Sequence, residues 1–132
     1  MSASPRNDER ESDPRTLLFG PEDVAASIDM LGVVEAVGEA FAAHHRGEAI
    51  MPPKSYVELP RFNGDFRAMP ASVGDAAGLK WVNVHPDNPS ANGLPTVMGV
   101  MIYSDPRTGF PLAVLDGTTV TRFRTGAAAA VA

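Results

Sequence analysis

Cysteine is absent from the 132 residues, which excludes disulfides and thiolate metal sites. No apolar run is long enough to suggest a transmembrane helix. The N-terminal MSASPRNDERESDPR carries both charge signs and lacks the apolar stretch of a secretory signal. A cytoplasmic protein that neither spans nor binds a membrane is therefore expected. Lysine is scarce: only Lys54 and Lys80 occur, against nine arginines. An acidic, lysine-poor chain suits a salt-rich cytoplasm, and a GC-rich genome would produce the same bias. The net charge of -5 argues against nucleic-acid binding through a broad basic face. The chain also has no Walker sequence, no G-x-G-x-x-G turn, no G-x-S-x-G elbow and no spaced histidine–carboxylate cluster. Any chemistry must rest on isolated cationic and hydroxyl side chains.

The charge is unevenly spread. Residues 1–48 hold ten acids and four arginines, whereas residues 49–132 hold six acids and seven Lys/Arg. The positive side chains of the back half are thus few enough to weigh individually. The hydrophobic content of 44% suits one domain with a modest core.

Residues 1–16 have almost nothing to bury and read as a disordered tail. Gly20-Pro21-Glu22-Asp23 has the marks of a helix start, since proline and acids suit the first turn. It predicts a short helix over 21–28. Val33, Val34, Val37, Phe41 and His44 or His45 recur at helical spacing and predict a second helix from Asp29 or Met30 to Arg46, stopped at Gly47. His44 and His45 are adjacent, point in different directions and read as solvent-edge residues. From Ile50 onward, prolines and glycines punctuate short apolar stretches, as in a strand-rich region. Strands are predicted over 55–59, 66–69, 78–84, 96–104 and 110–116. Ser104-Asp105-Pro106-Arg107-Thr108-Gly109 is a turn joining the last two as a hairpin, and 86–95 is a loop. A last helix follows Asp116, with Thr118 or Thr119 as its cap.

Lys80 lies within Gly78-Leu79-Lys80-Trp81-Val82-Asn83-Val84. A charge in an apolar strand is costly unless it is paired or faces a cleft, and a cleft lysine can bind a carboxylate or transfer a proton. Alternation allows the opposite arrangement, with Lys80 in solvent and Leu79 and Trp81 inside. Arg124, near the start of the last helix, could grip a carboxylate with two parallel hydrogen bonds or make an ion pair with a strand acid. Arg122 would point to another face and reads as a surface residue.

Four segments in order, GDFRAMPA, GLKWVNVHPDNP, GLPTVMGVMIYSDPRTGFPLAVLDG and TVTRFRTGAAAAVA, resemble the ornithine cyclodeaminase/mu-crystallin family, and MPPKSYVELP after two short helices fits as well. The resemblance runs from Leu17 to Ala132. It implies an α+β fold, with N-terminal helices packed on a bent, mainly antiparallel sheet. The substrate and dimerisation domain would span 17–117. Residues 118–132 would begin a connecting helix toward a Rossmann domain that binds NAD or NADP and is not present in this chain. Two subunits would join their sheets as a homodimer.

The implied chemistry is hydride transfer between the cofactor and the amine-bearing carbon of an amino or imino acid. Water or an internal amine then attacks the imine. By resemblance, Lys80 contacts the substrate and assists proton transfer, and Arg124 binds the substrate carboxylate. Thr96 and Met69 line the pocket, and Thr125 lies near the cofactor. Lys54 stands where many members carry an arginine; it keeps the charge but loses the fork. The aspartate that serves ornithine cyclisation in the family lies outside this chain. Cyclodeaminase and dehydrogenase or reductase chemistry therefore both stay open. The expectation is the substrate-side portion of such an enzyme, inactive and unable to bind NAD or NADP alone. The alternatives are a non-catalytic dimerisation or small-ligand-binding module, or an inactive remnant.

Overall fold

The computed structural model describes residues 14–132. Most of the expected N-terminal tail, residues 1–13, lies outside the described residues. Thr16 is already tied to the body, its hydroxyl donating to the Pro111 carbonyl at 2.7 Å. Strand β1, Leu17–Phe19, follows and pairs in parallel with β7, Pro111–Asp116. Helix α1 spans Pro21–Ser27. Its start is the one the residues predict: Pro21 opens the first turn, and the Gly20 N–H donates to the Asp23 carboxylate at 2.9 Å. Helix α2, Met30–His45, is capped by Asp29, which accepts from the Gly32 N–H. It ends at Gly47, whose φ of 75° is open to glycine at no steric cost.

The remaining strands are β2 (Ala49–Ile50), β3 (Ser55–Leu59), β4 (Gly64–Val73), β5 (Ala76–Val84) and β6 (Val97–Ser104). They form one bent sheet with β7 and β1, in the order β1-β7-β6-β5-β4-β2, and β3 also pairs with β4. Every pairing except β1–β7 is antiparallel. The hairpin predicted at Ser104–Gly109 joins β6 and β7; Asp105 N–H donates to Phe110 O, and Gly109 N–H to Asp105 O. β4 and β5 are longer than predicted because they form one continuous hairpin that turns at Gly74, with φ 55°. The expected loop over 86–95 contains a short helix, α3, Asn88–Ala91.

Helix α4 spans Gly117–Val131. Its cap is Asp116, not Thr118 or Thr119: the carboxylate accepts from both of their N–H groups, at 3.3 and 2.8 Å. The last residue of β7 thus starts the helix directly, with no turn between. α4 packs on α1, α2, β5 and β6.

The helices cover one face of the sheet. Across that face β6 and α4 approach closely, and a Cβ on Gly117 would stand 2.8 Å from the Gly99 carbonyl carbon. Val82, paired with Gly99, is buried there. On the opposite face Trp81 pairs with Val100 and stacks on Phe66, ring centroids 5.1 Å apart. Trp81 is nevertheless 40% exposed and Val100 44%, because no helix among the described residues lies over them. The arrangement with Lys80 outside and Trp81 inside is therefore reversed. Phe41, expected on the apolar stripe of α2, is also exposed; Ala43 is the residue that helix buries most deeply. No large side chain among the described residues is fully buried, as expected of a layered fold covered on one face. No helix among them is long and apolar enough to cross a membrane.

Candidate functional site

The cleft is built from the register of three strands. Met69 of β4, Lys80 of β5 and Met101 of β6 are direct cross-strand neighbours, so all three side chains leave the sheet on one face. α4 crosses above that row. The Lys80 ammonium donates to the Thr121 hydroxyl oxygen at 3.4 Å. The segment Met51–Lys54, which leads into β3, forms one wall; Val120, Thr121 and Arg124 form the other. The space between encloses about 750 Å³.

Three cations line this cleft, Lys54, Lys80 and Arg124, and no acidic residue does. None of the three enters a salt bridge among the described residues. The ion pair considered for Arg124 is therefore not made there. Lys80 is half-buried, and its pKa is pushed below the usual lysine value, first by burial and then by the charges of Arg124 and Lys54. Like charges held together without an acid cost energy that an incoming anion recovers. The apolar remainder, Pro52, Pro53, Met69, Pro70, Ala71, Met101 and Val120, suits the carbon skeleton of a small acid.

Of the residues singled out from the sequence, the structure brings Lys54, Met69, Lys80 and Arg124 together. Thr96 does not line the cleft. Its carbonyl accepts from the His85 N–H at 2.8 Å, just beyond the Val84–Val97 pair and well along the strands from Lys80–Met101. Thr125 follows Arg124 on α4, is exposed and does not line the cleft either. Arg122 is exposed and borders a separate groove with Pro21, Glu22 and Met30. His44 and His45 are exposed, and no metal-holding cluster of three His, Asp or Glu exists among the described residues.

Thr121 is the contact that reading the sequence missed. Its signal was present: it lies three residues before Arg124, and residues i and i+3 share a helix face. Arg67 faces the helices as well, but its guanidinium is taken by Asp65, with hydrogen bonds of 2.7 and 2.9 Å, and lies over the Tyr56 ring.

The sequence model of the ornithine cyclodeaminase/mu-crystallin family matches residues 16–132. The alanine dehydrogenase of Archaeoglobus fulgidus is 53% identical over 117 residues, which is 89% of this chain and 35% of that protein. An archaeal alanine dehydrogenase, solved as a dimer with bound NAD, superposes with a TM-score of 0.82 at 54% identity, covering 86% of this chain and 34% of that one. Thermococcus litoralis Δ1-pyrroline-2-carboxylate reductase, solved with NADH and L-proline, gives a TM-score of 0.83 at 37% identity, covering 86% of this chain and 36% of that one. The chain thus spans about a third of the length of the relatives it matches.

Proposed function

Because the chain belongs to the ornithine cyclodeaminase/mu-crystallin family, we propose that its cation-lined cleft is the substrate-side half of a site for a small amino or imino acid. The whole activity in view is a nicotinamide-dependent oxidoreduction of the alanine dehydrogenase or pyrroline-carboxylate reductase kind. The observation that carries the proposal is the convergence of Lys54, Lys80 and Arg124 on one cleft without an acid.

In this reading Arg124 and Lys54 hold the substrate carboxylate. The guanidinium fixes its plane with paired hydrogen bonds, and Lys54 adds a compact charge from the opposite wall. Lys80 lies between them. Its lowered pKa suits it to take a proton from a substrate ammonium or return one to an imine or amine nitrogen. Met69 and Met101 flank Lys80 in register and limit water around it, which strengthens each charge contact. Thr96 and Thr125, which resemblance assigns to substrate and cofactor, would act only through contacts outside this cleft.

We read these residues as the substrate side alone, without a dinucleotide site of their own. There is no glycine-rich phosphate turn, and the first N–H groups of α4 are already taken by the Asp116 carboxylate, where a phosphate would otherwise sit. The functional assignment for the chain is accordingly confined to binding, orientation and proton handling. The uncovered sheet face around Trp81 and Val100 supports a homodimer as the working assembly.

The test is a titration of the chain with sodium pyruvate, a small 2-oxo acid, followed through the ε-carbon NMR signals of its two lysines. Both signals should move together with a dissociation constant of roughly millimolar order. If neither moves, the cleft is not a carboxylate site.

A further inference from the structure

We propose that Thr121 is a positioning residue for Lys80: its hydroxyl oxygen anchors the ammonium at the place where the substrate's reacting end would meet it. The proposal deepens the carboxylate-site reading above and rests on it for its functional meaning. Its test also reads Lys80 without any ligand.

Lysine is a compact charge on a flexible four-carbon stem. On β5 its register neighbours are Met69 and Met101, which offer nothing to hold a cation. The nearby Arg124 and Lys54 repel it. Thr121 is the ammonium's one hydrogen-bond partner among the described residues, at 3.4 Å across 41 residues of chain. An ammonium has three N–H donors. One directed at Thr121 leaves two for incoming ligand atoms.

Thr121 is itself placed by backbone rather than by soft packing. Asp116 caps the helix. Gly117 rests against the backbone of Gly99, and the Thr118 hydroxyl accepts from the Gly99 N–H at 3.1 Å. One turn later Thr121 stands over Lys80, and Arg124 comes three residues after that, on the wall of the cleft. The first two turns of α4 thus set the helix on β6, anchor the lysine and present the arginine in succession.

An acceptor oxygen favours the charged lysine, against burial and the two neighbouring cations. Removing it should make Lys80 lose its proton at still lower pH. A threonine that merely filled space would not have that effect, because valine has nearly the same shape.

The experiment is a pH titration of the 132-residue chain labelled at the lysine ε-carbons, with Lys54→Arg to assign the two signals. In Thr121→Val, Lys80 should titrate lower by about half a pH unit or more, and pyruvate affinity should fall about three- to tenfold. Thr121→Ser should restore both. Circular dichroism checks the fold, and Thr121→Ala replaces Thr121→Val if the latter does not fold. An unchanged Lys80 titration in the hydroxyl-free variant, or a serine variant that behaves like it, overturns the proposal. If the unsubstituted chain binds no pyruvate but Lys80 still follows the hydroxyl, the anchoring holds and the carboxylate-site reading is what fails.

Discussion

Gly117 at the start of α4 lies against Gly99 of β6, so close that a Cβ on Gly117 would come within 2.8 Å of the Gly99 carbonyl carbon and 2.9 Å of its oxygen. This contact sets the height of α4 above the sheet. It therefore sets where Thr121 and Arg124 stand relative to Lys80.

Gly117→Ala should act on stability and site together. The added methyl meets backbone, which cannot swing aside as a side chain can. The cost should be about 1–3 kcal/mol, read as a lower denaturant midpoint. Pyruvate binding should weaken as the helix lifts. Gly93→Ala would not serve as a control, since Gly93 has a φ of 65°; Ala129→Ser on the exposed side of α4 should leave both properties nearly unchanged.

The Asp116 cap gives a second prediction. Replacing an N-cap carboxylate by alanine costs roughly 1 kcal/mol, whereas asparagine caps almost as well. Asp116→Ala should lower stability by about that amount, and Asp116→Asn should change it little at neutral pH. Burial alone would raise this carboxyl's pKa, but hydrogen bonds from Thr119 and Thr118 outweigh burial and hold it below the usual value of 3.8. A pKa depressed by folding gives a contribution that is complete above the unfolded-state value. It is lost as pH falls through the lower folded value. The stability of Asp116→Asn should therefore lack that acid-side component, as measured by urea unfolding from pH 5 downward.

Lys80 should trade stability for binding. Its charge is half-buried beside two cations without an acid, so folding disfavours the protonated form. By linkage this penalty is present when the pH is below the folded value, and disappears above the unfolded one. Lys80→Met should therefore raise the thermal midpoint of the ligand-free chain at pH 7 by a few degrees while abolishing pyruvate binding. A lower midpoint would mean that the Thr121 contact outweighs the repulsion.

The exposed sheet face yields a prediction about assembly. Trp81 and Phe66 stack on it, and Val100 and Ile102 lie on the same face. If this face pairs with a second copy, sedimentation equilibrium should find a dimer, and Trp81→Glu should shift it toward monomer by placing a charge in the joint. A well-folded monomer without the substitution would rule the face out as a self-association surface.

The helix starts at Pro21 and Asp29 and the hairpin turn at Ser104–Gly109 were legible because each depends on residues a few positions apart. β1 and β2, of three and two residues, were not: they exist only through distant partners, β7 and β4. The facing of Lys80 was equally closed to inspection, since apolar residues occur on both sides of β5. What decides it is α4, which comes from the far end of the chain. That Lys54, Met69, Lys80 and Arg124 belong together was implied by family resemblance, not by spacing; the register of β4, β5 and β6 is what unites Met69 and Lys80 with Met101. Asp116 is hard to recognise as a cap from the residues because it also ends β7.

The central claim is that the cleft holds a carboxylate through its own cations, and the most direct measurement is the pyruvate affinity of four variants of the chain: Arg124→Ala, Lys80→Ala, Arg122→Ala and His44→Ala. Arg122 and His44 are exposed and outside the cleft, so they control for loss of charge and for loss of surface side chains. Calorimetric or NMR titration at fixed ionic strength should show affinity falling about tenfold or more for Arg124→Ala and Lys80→Ala, with Arg122→Ala and His44→Ala close to the unsubstituted chain. Equal losses for Arg122→Ala and Arg124→Ala, or no loss in either cleft variant, would contradict the account.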